Sequence, residues 1–259
     1  MSARSDEAAP HADWLQPDWA LDQVRAFMTT RSGGVSEGAH ASLNVGRSVG
    51  DDPLHVAANR ARVSAALGAP AVFMPQVHGA DVLVLDPSHV GSEVPPHDAA
   101  VSTHREVGVA IQVADCLPVL FAAPRGVAGA HAGWRGLAGG VLENTVAALC
   151  REAGCAPGEV HAWLGACIGP QAFEVGAEVL AAFGREALAK DQPLFRYRPN
   201  AAGEPRWRAD LVGLARERLA AAGITRTSGG QWCTYNETSF FSYRRERLAG
   251  RMVAAIRLL

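Results

Sequence analysis

A run of short apolar segments between Ala71 and Ala130 most constrains what this chain can fold into. AVFMPQV, DVLVLD, DAAVST, VGVAIQVAD, LPVLFAA and GVAGA follow one another, separated by Gly, Pro, Asp or His. Segments of this length bounded by turn residues read as strands. They are apolar on both faces rather than alternating, so each needs a covering layer on either side. Helical patterns flank this sheet-rich middle. Asp52 and Pro53 make an N-cap and first-turn pair, and Val56, Asn59, Arg60, Val63 and Leu67 recur at helical spacing up to Gly68. Helical composition returns over 136–153, 176–189 and 209–222, while AFMTTR, VHAWLGACI and the terminal RMVAAIRLL read as further strands. Strands and helices mix without strict βαβ alternation, and no proline-rich linker divides the chain. The expected architecture is therefore one layered α+β domain over 23–259, preceded by a flexible tail over 1–22.

Composition excludes several function classes. Lys and Arg number 24 against 26 Asp and Glu, so no basic excess exists to grip nucleic acid or anionic lipid. The most apolar stretch, 107–123, is broken by Gln112, Asp115 and Pro118 and is shorter than the roughly 20 residues of a membrane span. The first twenty residues hold no apolar run of the kind a signal peptide needs. Five cysteines form an odd set without the density of a disulfide scaffold, which points to reduced thiols in a cytoplasm.

Three side chains stand out for chemistry. Cys116 sits at the break between two apolar runs, and His131 ends the run after the next turn. If LPVLFAA and GVAGA are hairpin arms turning at Pro124-Arg125-Gly126, the two lie nearly equidistant from the turn, and opposed residues have Cβ atoms about 4.5–5.5 Å apart. A one-residue slip would send them to opposite faces, and both residues also suit plain packing. His78, in PQVHG, has an accessible turn position. Two histidines and one cysteine, with a fourth position open to water, form an acceptable catalytic zinc set, although 78, 116 and 131 match no short metal motif. Trp134-Arg135-Gly136 precedes a helical segment, where N–H groups and a guanidinium favour an oxyanion or where ordinary capping suffices. Arg31 beside its glycine-rich loop is a similar candidate. The chain has no Gly-x-Gly-x-x-Gly, no P-loop lysine and no Gly-x-Ser-x-Gly elbow.

The runs MTTRSGGVSEG, SLNVG, PQVHG, DAAVST, VADCLPVLF, AGAHAGWRGL, GACIGPQAFEVG and FFSYRRE resemble, in that order, the YfiH family of laccase-domain proteins, also named polyphenol oxidases or peptidoglycan editing factors. The resemblance runs from about residue 24 to the C-terminus. It implies a four-layer α/β/β/α fold with mixed sheets. It also implies phosphorolysis of purine nucleosides (adenosine, inosine, guanosine, methylthioadenosine) with adenosine deamination at the same site. It implies His78, Cys116 and His131 as ligands of a metal, zinc or copper, and as the catalytic set. Arg31 and Arg135 become expected phosphate contacts, Asn44 and Gln76 expected contacts to sugar or base, and Asp115 an expected orienter of a ligand histidine. Expected partners are a small-molecule nucleoside and phosphate, not nucleic acid or membrane. Two other activities stay open: an amidase removing L-serine from a nucleotide-linked muramyl precursor, and a copper-dependent polyphenol oxidase, for which the chain offers few clustered histidines. Phe173 departs from the tyrosine usual in the family's YEVG, which removes one hydroxyl.

Overall fold

The computed structural model describes residues 9–259. In chain order, β1 (Val24–Met28) is followed by α1 (Pro53–Leu67), β2 (Ala71–Phe73), β3 (Val82–Val84), β4 (Ala99–Ser102), β5 (Gly108–Val113), β6 (Leu117–Ala123), β7 (Gly126–Ala132), α2 (Trp134–Ala138), α3 (Val141–Ala153), β8 (His161–Leu164), β9 (Glu174–Val175), α4 (Ala177–Ala182), β10 (Phe195–Tyr197), β11 (Trp207–Ala209), α5 (Leu211–Ala221), β12 (Arg226–Gly229) and β13 (Met252–Leu258). A first sheet has the order β1-β13-β5-β2, a second the order β12-β8-β6-β7-β4-β3, and a small third the order β10-β11-β9. The two larger sheets are mixed: β2 runs parallel to β5, and β3 parallel to β4, among antiparallel neighbours.

Alternation along each strand builds the layers. In β5, Val109 and Ile111 turn toward the second sheet, whereas Ala110 turns toward Val63, Ala66 and Leu67 of α1. In β6, Leu120 and Ala122 face the first sheet, whereas Val119 and Phe121 face Leu142, Val146 and Leu149 of α3 and Leu214 and Leu219 of α5. A side chain on either face of these strands therefore meets apolar partners, which is why the segments show no polar alternation. The result is four layers: α1, first sheet, second sheet, and the α3–α5 face. The two sheets approach closely at Gly129, where a Cβ would lie 2.8 Å from Ile111 Cγ1 and 2.9 Å from Val109 Cγ1.

α1 forms where the capping residues place it. The Asp52 carboxylate accepts from Leu54 N–H at 2.8 Å, Pro53 opens the helix, and Gly68 ends it in the left-handed region. Elsewhere the elements differ from expectation. The helical segment over 136–153 is two helices, because Gly139-Gly140 breaks it and Gly140 takes φ 91°. The helix expected over 176–189 spans only Ala177–Ala182, and the strands of the third sheet and β12 were not foreseen. The tail expected over 1–22 is docked where it is described: Leu15 pairs with Met28, and Trp14 is buried with its ring 4.9 Å from Phe27. The rest of that expectation, residues 1–8, lies outside the described residues.

Candidate metal centre

Chain crossings between the two large sheets position two of the three singled-out side chains. β2 belongs to the first sheet and β3 to the second, and the connection between them carries His78. β5 and β6 likewise lie in different sheets, and Cys116 stands at the end of their connection. His131 lies near the end of β7. The hairpin register places Pro118 opposite His131, so Cys116, two residues earlier, is the diagonal neighbour on the same face. This is two residues from the direct opposition considered from sequence, which keeps both side chains on one face and still brings them together. One ligand atom from each of His78, Cys116 and His131 lies within 4.8 Å of the others, with Cys116 Sγ 3.8 Å from His78 Nε2.

Asp98, just before β4, organises this cluster and was missed from sequence. Its Oδ1 accepts from His131 Nδ1 at 2.7 Å and from the His78 N–H at 2.9 Å. Its Oδ2 accepts from the Val77 and Gly79 N–H groups at 3.0 and 2.7 Å. The PQVHG loop is thus wrapped on one fully buried carboxylate, which holds His78 at φ 62°. Burial alone would push this carboxyl up, but the His131 ring and the Gly79 and Val77 N–H groups hold it below the ordinary carboxylate range. With Nδ1 committed to Asp98, His131 presents Nε2 to the cluster, a common way to fix a ligand histidine.

The cluster is also electrostatically matched. Burial would raise the Cys116 thiol, yet the His131 and His78 imidazoles outweigh it and bring the thiol down to about 6. Burial would lower His131, but the Cys116 sulfur and the Asp98 carboxylate raise it to about 9. In the absence of an ion the pair is a thiolate beside an imidazolium. Backbone space is reserved for the group too. A Cβ on Gly133 would lie 3.0 Å from both Cys116 Sγ and His78 Cδ2, and one on Gly136 would lie 2.7 Å from the Gly79 carbonyl oxygen. The glycines of HAGWRG therefore let α2 close over the PQVHG loop.

Two imidazoles and a thiolate, with one tautomer fixed by a buried carboxylate, fit a transition-metal ion. No fourth His, Cys, Asp or Glu joins the three among the described residues, so a metal ion held by them would keep a position for water or substrate. His131 is buried, Cys116 half-buried and His78 exposed, so the group opens toward solvent on the His78 side.

The other expected site residues divide. Asp115 is adjacent to Cys116 but orients no histidine: its carboxylate accepts from Thr234 Oγ1 at 2.6 Å and Arg244 N–H at 2.7 Å. At φ 96° it shapes the turn that presents Cys116 and ties it to the FFSYRRE loop. Gln76 spends both ends of its amide on the Gln112 backbone, donating to its carbonyl and accepting from its N–H at 2.8 Å each. It extends the edge of the first sheet rather than facing the cluster. Asn44 is fully buried, accepting from the Gly46 and Arg251 N–H groups and donating to Asp51 and the Gly46 carbonyl. Arg31 donates to the Ala41 carbonyl at 2.8 Å, lies over the Phe241 ring and stands 4.0 Å from Glu246. Arg135 is exposed, and its guanidinium stacks on Trp134 at 4.2 Å. Because α2 has only five residues, the anion reading of this segment rests on Arg135 rather than on a helix terminus.

A sandwich of two mixed sheets flanked by helices, with a His-Cys-His group that could hold a metal ion at the crossings, defines a layered mixed α/β protein. The chain belongs to the YfiH family: residues 25–259 match the family described as multi-copper polyphenol oxidoreductase laccase. A purine nucleoside phosphorylase of Pseudomonas aeruginosa is 46% identical over 94% of this chain and 97% of its own length. The Escherichia coli purine nucleoside phosphorylase YfiH is 44% identical over 95% and 98%. The crystal structure of YlmD from Geobacillus stearothermophilus superposes with a TM-score of 0.85 at 34% identity over 98% of this chain and 99% of that one, and that of a Neisseria meningitidis relative with 0.84 at 42% over 95% and 98%.

Proposed function

We propose that this protein is a metal-dependent purine nucleoside phosphorylase that accepts adenosine, inosine, guanosine and methylthioadenosine with phosphate, and deaminates adenosine at the same centre. The observation that carries this is the convergence of His78, Cys116 and His131 on one solvent-reachable point with no fourth protein donor among the described residues. The names of the relatives support the substrate class. Zinc is the proposed ion, held by His78, Cys116 and His131, and when bound it supplies Lewis-acid polarisation at the open position. A multicopper oxidase would need further clusters of donors, and the described residues form this one.

The chain's own groups act around that position. Asp98 keeps the proton on His131 Nδ1 and holds the His78 loop still. Phosphorolysis joins a phosphate oxygen to C1′ of the ribose as the bond from C1′ to the purine breaks. Arg135, whose partner among the described residues is the Trp134 ring, is the guanidinium proposed to hold the phosphate. Residues 23–259 form the proposed catalytic domain, and the five free thiols suit a cytoplasmic setting.

Incubating metal-analysed protein with adenosine, with and without phosphate, and separating the products tests this reading. Adenine with ribose 1-phosphate only when phosphate is present, inosine without it, and loss of both in Cys116→Ala are the expected results. No purine product at any metal loading overturns it. One observation favours a second reading, an amidase on a nucleotide-linked muramyl precursor: without an ion, Cys116, His131 and Asp98 form a thiolate, imidazolium and carboxylate in series. Release of L-serine by the metal-stripped protein would support that activity.

A further inference from the structure

Two cysteines that the metal centre does not use meet at the end of α3. The helix stops at Gly154, whose φ of 61° turns the chain back on itself. Cys155 then donates its backbone N–H to the Cys150 carbonyl at 3.1 Å, as the Gly154 N–H also does. A hydrogen bond of this kind closes helix ends in which the second residue past the left-handed glycine region lies against a residue of the last turn. Here the two residues so placed are both free cysteines. The direct N–H to carbonyl tie holds the two α-carbons within reach of a disulfide. Both residues are half-buried, so a small solute can reach them. Arg125 fastens the turn by donating to the Ala153 and Gly154 carbonyls at 3.1 and 3.4 Å.

We propose that Cys150 and Cys155 are a reversible dithiol–disulfide modification site whose oxidant is a hydroperoxide. The inference is independent of the activity assigned to the metal centre. Burial, the neighbouring Cys155 and the Glu159 carboxylate hold the Cys150 thiol up at about 11, so Cys150 is assigned the second, resolving step. The Cys155 thiolate attacks one peroxide oxygen, the O–O bond breaks, and hydroxide leaves a sulfenic acid on Cys155. Cys150 sulfur then attacks the sulfenic sulfur, and its proton departs with the displaced hydroxide as water. Two thiols are oxidised by two electrons and one hydrogen peroxide is reduced to two waters. The pair lies beside the start of β7, where Gly126 packs on Ala153, whereas His131 lies five residues along that strand, about 17 Å away at the usual rise. A disulfide formed there therefore lies away from the metal-centre residues.

The test uses the full chain before and after hydrogen peroxide, with free thiols blocked and the protein digested by trypsin. Cleavage after Arg151 separates the two cysteines, so a bond between them joins two peptides. The expected result is a joined pair that appears on oxidation, dissolves in dithiothreitol, and is absent from Cys150→Ser and Cys155→Ser but retained in Cys167→Ser, whose cysteine shares the Cys155 peptide. The disulfide itself accounts for the loss of two of the five free thiols, counted at Cys150 and Cys155 by peptide. Should a serine variant fail to fold, fragmentation of the joined wild-type peptides identifies the bonded residues directly. Bonds to other cysteines or between chains, or sulfinic acid on Cys155 with Cys150 still free, overturn the proposal.

Discussion

Replacing Asp98 with asparagine keeps the volume but sets an amide N–H against backbone donors and frees the His131 tautomer. Metal affinity should fall about 10–100-fold, read by competition with a chromophoric chelator. Unchanged affinity would show that the Asp98 bonds do not position the ligands. Cys116 supplies a second residue-scale prediction. Its folded thiol sits near 6 rather than the ordinary 9.0, so the reactive anion persists until the pH falls through about 6. Iodoacetamide should label Cys116 in metal-stripped protein at a rate that is flat from about pH 7 to 9 and drops below 6, with Cys116→Ser giving the background. A rate still climbing through pH 8 would contradict the thiolate–imidazolium pair. His78, Cys116 and His131 were legible because each interrupts an apolar run with a metal-competent side chain. Asp98 was not, because a carboxylate before AAVS looks like a turn residue until its three N–H donors are seen. Gln76 and Asn44 read as ligand contacts for the opposite reason: their amides satisfy buried backbone, a demand that appears only in three dimensions.

Among the elements, the large sheets approach closely at Gly129 of β7. Gly129→Ala would push a methyl into Val109 and Ile111 of β5, and we expect a loss of about 1–3 kcal/mol, the usual range for overpacking, measured by denaturant unfolding. A neutral effect would mean that the sheets separate more easily than their interdigitation implies. The strands of this sandwich were readable because both faces are buried, so their segments are continuously apolar, and α1 because Asp52, Pro53 and Gly68 cap it. β9, β10, β11 and β12 were not readable. They are two to four residues long, each holds a charged residue, and none is long enough to show a period of its own.

At the scale of the molecule, the segment before β1 acts as a seal. Trp14 covers Phe27 and donates to the Ser32 carbonyl at 3.2 Å, closing one end of the α1 layer. Trp14→Ala should cost about 3 kcal/mol in chemical denaturation, and a negligible cost would show that the segment rests on the core without supporting it. Its docking escaped the sequence because one buried tryptophan in a polar stretch carries no period. The crossings have a different consequence. His78 and Cys116 ride on separate connections between the sheets, so an ion shared by them would rivet one sheet to the other. The loaded protein would then come apart on the clock of ion release, and with a chelator trapping the freed ion its lifetime under denaturant would follow that release rate rather than the strength of the apolar layers.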